Sequence, residues 1–545
     1  MTFKENLIKN KNKSYDFLTN PRVVRICIVI ALIVFIPSIV IGLIIAQLDP
    51  AGLWYFWTDN PALWAQYGMG GGDNAGYSIF TDYISNLGSL NYTPIPKFLD
   101  DAAMITSLVM IPVIFYLKKL FDTTIQERAE TRKKLGKVLS NLALITYLIG
   151  LIGFFGIGFF SEDVADFLEV ATNGVATVAG YDFHDFFTVL VFGFLALSGV
   201  FIGIIFLTYS SLSYDIFNVN IPKSVMIIAA LEMIFLPISL SMVFLTYWWP
   251  FIEWMAMISL FGWIIPLALL TLKQINSDLD SERKKIGVKE IQEFLINPKV
   301  VRICVIALLI IFVPMIIVGL IVAQLDPLGP LIPVYNYIDP AGYNIWVDYI
   351  SNLGSYRFTP VPKFLDDTAM LCSILFIPVT FYIKHLVNST LQEPGAKARK
   401  FLSNGALISM LLAMVGMWGV GFFNEDVGDT LEALGVVYMG RDLHNIFSLI
   451  VFGFLALTGI FIGLLGILYT QIMRTMFKTT IHKNIVLILG AWMVIFPPIF
   501  CILFIFGAPP SRPLWEWILM FSFFAWILPL AFVTLKRVNF DIKPR

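Results

Sequence analysis

Asp182 and His184 stand two residues apart, and the same pair returns as Asp442 and His444. A carboxylate beside an imidazole can orient the ring, as general acid–base chemistry and metal binding both require. On a helix, Thr188 and Ser198 share the face of His184, and Ser448 and Thr458 share that of His444. A lone interfacial histidine also serves as a structural hydrogen-bonder, so the pattern leaves both roles open. A second acidic group lies in "GFFSEDV" and "GFFNEDV", with Glu162 and Asp163 in the first copy and Glu425 and Asp426 in the second. In a helix, Glu162, Asp166 and Glu169 fall at i, i+4 and i+7, where like charges repel unless water, protonation or a cation relieves them. Oxygen-rich groups suit calcium or magnesium. No EF-hand loop is present, and a solvated amphipathic face explains the same spacing. No cofactor is predicted, and a divalent cation is an ion this acidic face would suit.

The phrase "DYISNLGS" occurs twice and supplies Asp82, Ser85 and Asn86, then Asp348, Ser351 and Asn352. Short polar side chains and a glycine capable of a left-handed turn predict a rigid polar re-entry loop. The following "TPIP" keeps the chain extended up to the next helix. Ser85 and Asn86 either cap the loop backbone or meet a head group. Neither serine sits in a G-x-S-x-G context, so a serine nucleophile is not expected. In "PKFLDD", Asp100 shares a helix face with Ala103 and Ser107, and Asp366 with Ala369 and Ser373. That stripe predicts Asp100 facing the bundle and Asp101 lying more peripherally.

These residues must be positioned by membrane helices. The chain is 58% hydrophobic and only 14% charged, against about 25% charged for a soluble domain. Apolar runs of about 20 residues match a hydrocarbon core roughly 30 Å thick, and lipid leaves such runs only the helix. Tandem matches such as "FIPSIVIGLIIAQLDP" with "FVPMIIVGLIVAQLDP" divide the chain into repeats at 1–280 and 281–545. Candidate spans lie near 23–47, 99–119, 139–160, 184–209, 224–247 and 252–272. The second copy repeats them near 300–324, 365–385, 402–423, 444–470, 484–507 and 515–535. The first run is too long for a signal-peptide core, and its internal copy cannot be one. The fold class is therefore all-α, a polytopic transmembrane bundle of twelve spans arranged as two parallel six-helix repeats.

Lys and Arg concentrate in "KKLFDTTIQERAETRKKLGK", around Lys397, Arg399 and Lys400, in the linker and at both termini. The positive-inside rule puts these segments, with the N- and C-termini, in the cytoplasm of a cell-membrane protein. The opposite segments then face outward and carry the repeated acids, including Asp49 and Asp326 as well as Glu253 and Glu516. Charge sorting alone also leaves acids outside. Glu232, opposite Trp492 in the second copy, reads as the one deep acid. Gly42 with Ala46 and Gly150, Gly153, Gly156 and Gly158, with their second-copy partners, predict close helix packing. The four cysteines fall inside apolar runs and suggest neither disulfides nor zinc.

"YISNLG", "GFFNEDV" and the histidine of "RDLHNIFSLIVFGF" together resemble the six-span domain-of-unknown-function 998 membrane family. A more distant similarity is to the Frag/DRAM/Sfk-like six-span proteins. The first resemblance implies a fold and no activity, and the second implies links to lipid remodelling and membrane trafficking. Three functions follow as expectations: binding or processing of lipid head groups at the outer leaflet, 6+6 secondary transport, or sensing by a non-enzymatic scaffold. Membrane lipids are the expected partners, and the net charge of −1 gives no reason to expect nucleic acid.

Overall fold

The computed structural model describes residues 15–48, 77–80, 82–89, 92–128, 132–171, 175, 177–178, 180–210, 216–217, 221–281, 288–325, 343–356, 358–359, 361–390, 395–433, 435–438, 440–478 and 482–542. Asp49 and Asp326, named above among the acids, lie outside them, as do the side chains of Asp166 and Glu169. Two compact units divide at Lys285 and Ile286, close to the repeat boundary read from the sequence.

All twelve predicted spans are helices. In the first unit they are α1 (Pro21–Leu48), α2 (Lys97–Arg128), α3 (Lys133–Phe159), α4 (Phe183–Thr208), α5 (Lys223–Tyr247) and α6 (Pro250–Ser281). In the second they are α7 (Pro298–Leu325), α8 (Lys363–Asn388), α9 (Ala396–Phe422), α10 (Leu443–Leu468), α11 (Lys483–Phe506) and α12 (Arg512–Ile542). All twelve are long and apolar enough to cross a membrane. The chain is thus a multi-pass, all-α membrane protein. Among the described residues the only β contacts are two isolated bridges, Val178–Tyr181 and Tyr438–Arg441.

Several helices outrun the apolar windows that predicted them. α2 continues past residue 119 with a Lys118–Asp122 pair, and α12 past 535 with Arg537–Asp541 at 3.0 Å. Such i,i+4 pairs support helix where hydropathy has already fallen. Prolines inside the spans, such as Pro112 and Pro378 at matching positions, are tolerated because neighbouring helices satisfy the freed backbone groups.

Within each unit, consecutive helices pack side by side and the sixth returns to the first, closing a ring. The tightest seams are made by small residues. A Cβ on Gly153 would lie 2.7 Å from the Val191 amide nitrogen, and one on Gly416 would lie 2.5 Å from that of Val451. Between lipid-exposed helices there is little hydrophobic drive to associate, so close backbone approach provides the attraction. Gly158 and Gly421 do the same against the carbonyls of Asp100 and Asp366, at 2.5 and 2.4 Å. The predicted packing role of the small residues is met.

Candidate polar site at the SNLG end of each unit

Ser85–Gly88 and Ser351–Gly354 each form one turn of 3₁₀ helix. This turn sits in the mouth of its six-helix ring, touching the first two helices and the short helix after the third, Glu162–Ala171 or Glu425–Ala433. Asn86, Leu87 and Gly88, with Asn352, Leu353 and Gly354, are buried. A buried backbone must find internal partners for its N–H and C=O groups. Here distant acids and aromatic donors supply them.

The Asp82 carboxylate accepts the Ser78 N–H at 2.6 Å, and Asp348 accepts that of Asn344 at 2.6 Å. Glu253, in the first turn of α6, accepts the Ile84 N–H at 2.7 Å, and Glu516 accepts that of Ile350 at 2.8 Å. The neighbouring Ser85 and Ser351 amides bond the same carboxylates. Trp254 and Trp517 donate their indole N–H to the Asp82 and Asp348 carbonyls, at 3.2 and 3.3 Å. The hydroxyls of Ser89 and Ser355 donate to Asp163 and Asp426, each at 2.6 Å, and the Tyr356 N–H donates to the second oxygen of Asp426 at 2.8 Å. Tyr77 donates to the Tyr83 carbonyl at 2.6 Å, and Tyr343 donates to that of Tyr349. Burial, reinforced by the Glu253 charge, pushes the Tyr77 phenol up, and burial with Glu516 does the same to Tyr343. Both stay protonated donors.

Two expectations are corrected. Gly88 and Gly354 are not among the glycines of positive φ, so the motif does not need a left-handed residue. Its glycine is there because Asp100 and Asp366 press against it: an added Cβ would lie 2.2 Å from Oδ1 of either carboxylate. Asp100 does face the bundle as predicted, and Asp366 accepts the Asn424 amide at 2.7 Å. Asp101, however, is not peripheral. It is 5% exposed beside 4% for Asp100, and Asp367 is half-buried.

Of the two roles left open for the histidines, the structure shows the structural hydrogen bond. Asp182 and Asp442 do not orient them. Each caps the N-terminus of its helix, accepting the Asp185 N–H at 2.8 Å or the Asn445 N–H at 2.7 Å. The rings instead pair through Nδ1, 2.9 Å from the Phe160 carbonyl in one unit and 2.9 Å from that of Phe423 in the other. Those carbonyls belong to the residues just past α3 and α9, so each histidine satisfies a helix C-terminus. Asp426 and Asp442 nevertheless lie near enough to act on His444 electrostatically.

The turn therefore gathers Asp82, Ser85, Asn86, Asp100 and Asp163 into one plug, while Asp182 and His184 occupy the adjoining α3–α4 corner. Glu162 begins the short helix between them and is half-buried. Asp348, Ser351, Asn352, Asp366, Asp426, Asp442, His444 and Glu425 repeat the layout. Among the described residues, no group of three or more His, Cys, Asp or Glu is placed to hold a metal ion.

Glu253 and Glu516, counted in the sequence only among the repeated outward acids, belong to the site. At 3% and 2% exposed they lie deeper than half-buried Glu232, which sits along α5 facing Gly262. Their signal was an acid retained in both copies inside an aromatic helix start, "IEW" and "WEW". Beneath the turn of the second unit, Glu516, Ser351 and Ser448 edge a cavity of about 60 Å³ whose other walls are apolar, among them Phe312, Met417 and Phe524. Set against protein-family models, curated proteins and solved structures, the chain matches none.

Proposed function

We propose that this protein binds an amphipathic lipid inside its second unit, with the polar end of the lipid under the SNLG turn. The observation that carries this reading is the cavity edged by Glu516, Ser351 and Ser448 and otherwise apolar. Few polar groups converging on an apolar hollow is the usual form of a small-ligand site. Its volume is several times the ~10–15 Å³ that one water needs, and such apolar walls offer water few partners.

The chemistry of the rim selects the head group. Glu516 contributes a buried carboxyl group that lines the cavity. A hydroxyl or ammonium donates to an oxygen of that carboxyl group, whereas an ionised phosphate has no proton to give it. The ligand class is thus a lipid ending in a hydroxyl or amine. With the basic loops placed in the cytoplasm, the SNLG end opens toward the outer leaflet. The resemblance to Frag/DRAM/Sfk-like proteins points to lipid by analogy alone.

The test is native mass spectrometry of the purified protein and of Ala369→Leu, which fills the cavity from α8. A retained neutral or cationic lipid, lost in the variant, is the expected result. An equal complement of lipid in both proteins, or none in either, removes the proposal.

A further inference from the structure

The cavity under the turn of the second unit has a neighbour in the same ring. This second cavity holds about 50 Å³, and the same helices, α7, α8, α9, α10 and α12, line both. On each of them the two linings follow one another along the helix. Ala369 of α8 borders the first cavity, and Thr380 and Lys384 border the second. On α10 the order is Ser448, then Ile462. α9 runs the opposite way and reverses the order, with Ser403 at the second cavity preceding Met417 at the first. The two hollows are therefore stacked along the axis of the ring, from the SNLG turn toward the basic end. Ala369 to Lys384 is a rise of about 22 Å along α8, most of a hydrocarbon core roughly 30 Å thick.

Phe376 and Ile527 line both cavities and stand where the two meet. Phe376 is buried, its ring edge-on to that of Phe312 at 6.4 Å. Apart from Thr380, Lys384, Ser403 and Trp526, the walls of the second cavity are apolar. Thr380 is engaged, donating to the Phe376 carbonyl at 2.8 Å. Lys384 lies in the last turns of α8, where a lysine lays its methylenes along apolar surface and carries its ammonium out to the interface. The first cavity, about 60 Å³, has room for roughly four to six water-sized groups. That accommodates a head group and the start of a chain, so the rest of a lipid tail must continue elsewhere.

We propose that the two cavities are the ends of one elongated site. The head group sits under the SNLG turn, and a single hydrocarbon chain threads between Phe376 and Ile527 into the second cavity. This inference rests on the lipid reading above and narrows its ligand to a single-chain, long-chain alcohol or amine. Volumes of about 60 and 50 Å³ leave width for one chain and exclude a two-tailed lipid. The second cavity contributes contacts to the tail and none to the head group.

The experiment is native mass spectrometry of the purified full-length protein in nanodiscs, titrated with decanol or hexadecanol and with the corresponding amines. Affinities are expressed against the mole fraction of each compound in the lipid. Extra carbons that stay in the bilayer add nothing, because lipid tails are as apolar as the protein wall. Carbons that fill a void of about 50 Å³ add roughly eightfold in affinity, at the energy that empty protein cavities carry. Wild type is therefore expected to bind hexadecanol about eightfold more tightly than decanol. Ala406→Leu and Ala531→Leu, which fill the second cavity from α9 and α12, should each abolish this preference and leave decanol binding unchanged. Equal affinity for the two chain lengths in wild type, or a preference that survives both fillings, overturns the threaded chain while leaving the head-group site under the turn. Binding of neither the alcohols nor the amines overturns the lipid reading and this inference together.

Discussion

Replacing Gly88 with alanine tests why the SNLG turn ends in glycine. Its φ is not in the positive region, so an alanine carries no backbone strain there. At such a position Gly→Ala ordinarily stabilises by about 0.4–1 kcal/mol through the unfolded chain. Here the new Cβ would sit 2.2 Å from Asp100 Oδ1 and 3.1 Å from Cγ, where 3.4–4 Å is ordinary contact. Relieving that overlap moves a short, buried carboxylate, and overpacking of this kind costs about 1–3 kcal/mol. The sign of the effect is therefore reversed from the default. In an Asp100→Ala background the obstruction is gone, and Gly88→Ala should become neutral or mildly stabilising. A double-mutant cycle on thermal unfolding in detergent, followed by tryptophan fluorescence, should give a coupling of about 1–3 kcal/mol. Gly354→Ala with Asp366→Ala repeats the cycle in the second unit, where the overlap is again 2.2 Å. If Gly88→Ala costs as much without the Asp100 side chain as with it, the steric account is wrong.

Glu516→Ala leaves the buried Ile350 N–H without its acceptor and should destabilise by about 1–3 kcal/mol, whereas Glu516→Gln keeps an acceptor and should lose less; equal melting temperatures for the two would contradict the anchoring role. His444→Asn can still donate to the Phe423 carbonyl and should unfold close to wild type, while His444→Ala should lose about 1 kcal/mol. A ring needed for its shape alone would make both substitutions equally harmful. For topology, Phe80→Cys is 68% exposed at the SNLG end and should react with an impermeant maleimide on intact cells. Lys134→Cys, exposed at the basic end, should react only after permeabilisation, and the opposite pattern refutes the orientation.

Span number, helical state and repetition were legible because each depends on local facts. A run of about 20 apolar residues in lipid satisfies its backbone only as a helix, whatever surrounds it. Small residues at helical spacing likewise announced the seams that Gly153 and Gly416 make. The positions of the repeated polar residues were legible too, though their roles were not. The sequence left open whether Asp182 orients the histidine; it is a cap, because the ring found the Phe160 carbonyl across the α3–α4 corner. Asp101 read as peripheral because periodicity describes an isolated helix, whereas in the folded unit it is buried.

From the sequence alone came a twelve-span, duplicated membrane chain with acids gathered at one end of each repeat. Tertiary structure alone decided that Glu253 and Glu516 anchor the turn and that Asp100 excludes a side chain from Gly88. Each of these is a pairing between groups far apart in the chain or on different helices. Helical period and hydropathy report which face a residue occupies; they carry no record of which donor arrives there from elsewhere.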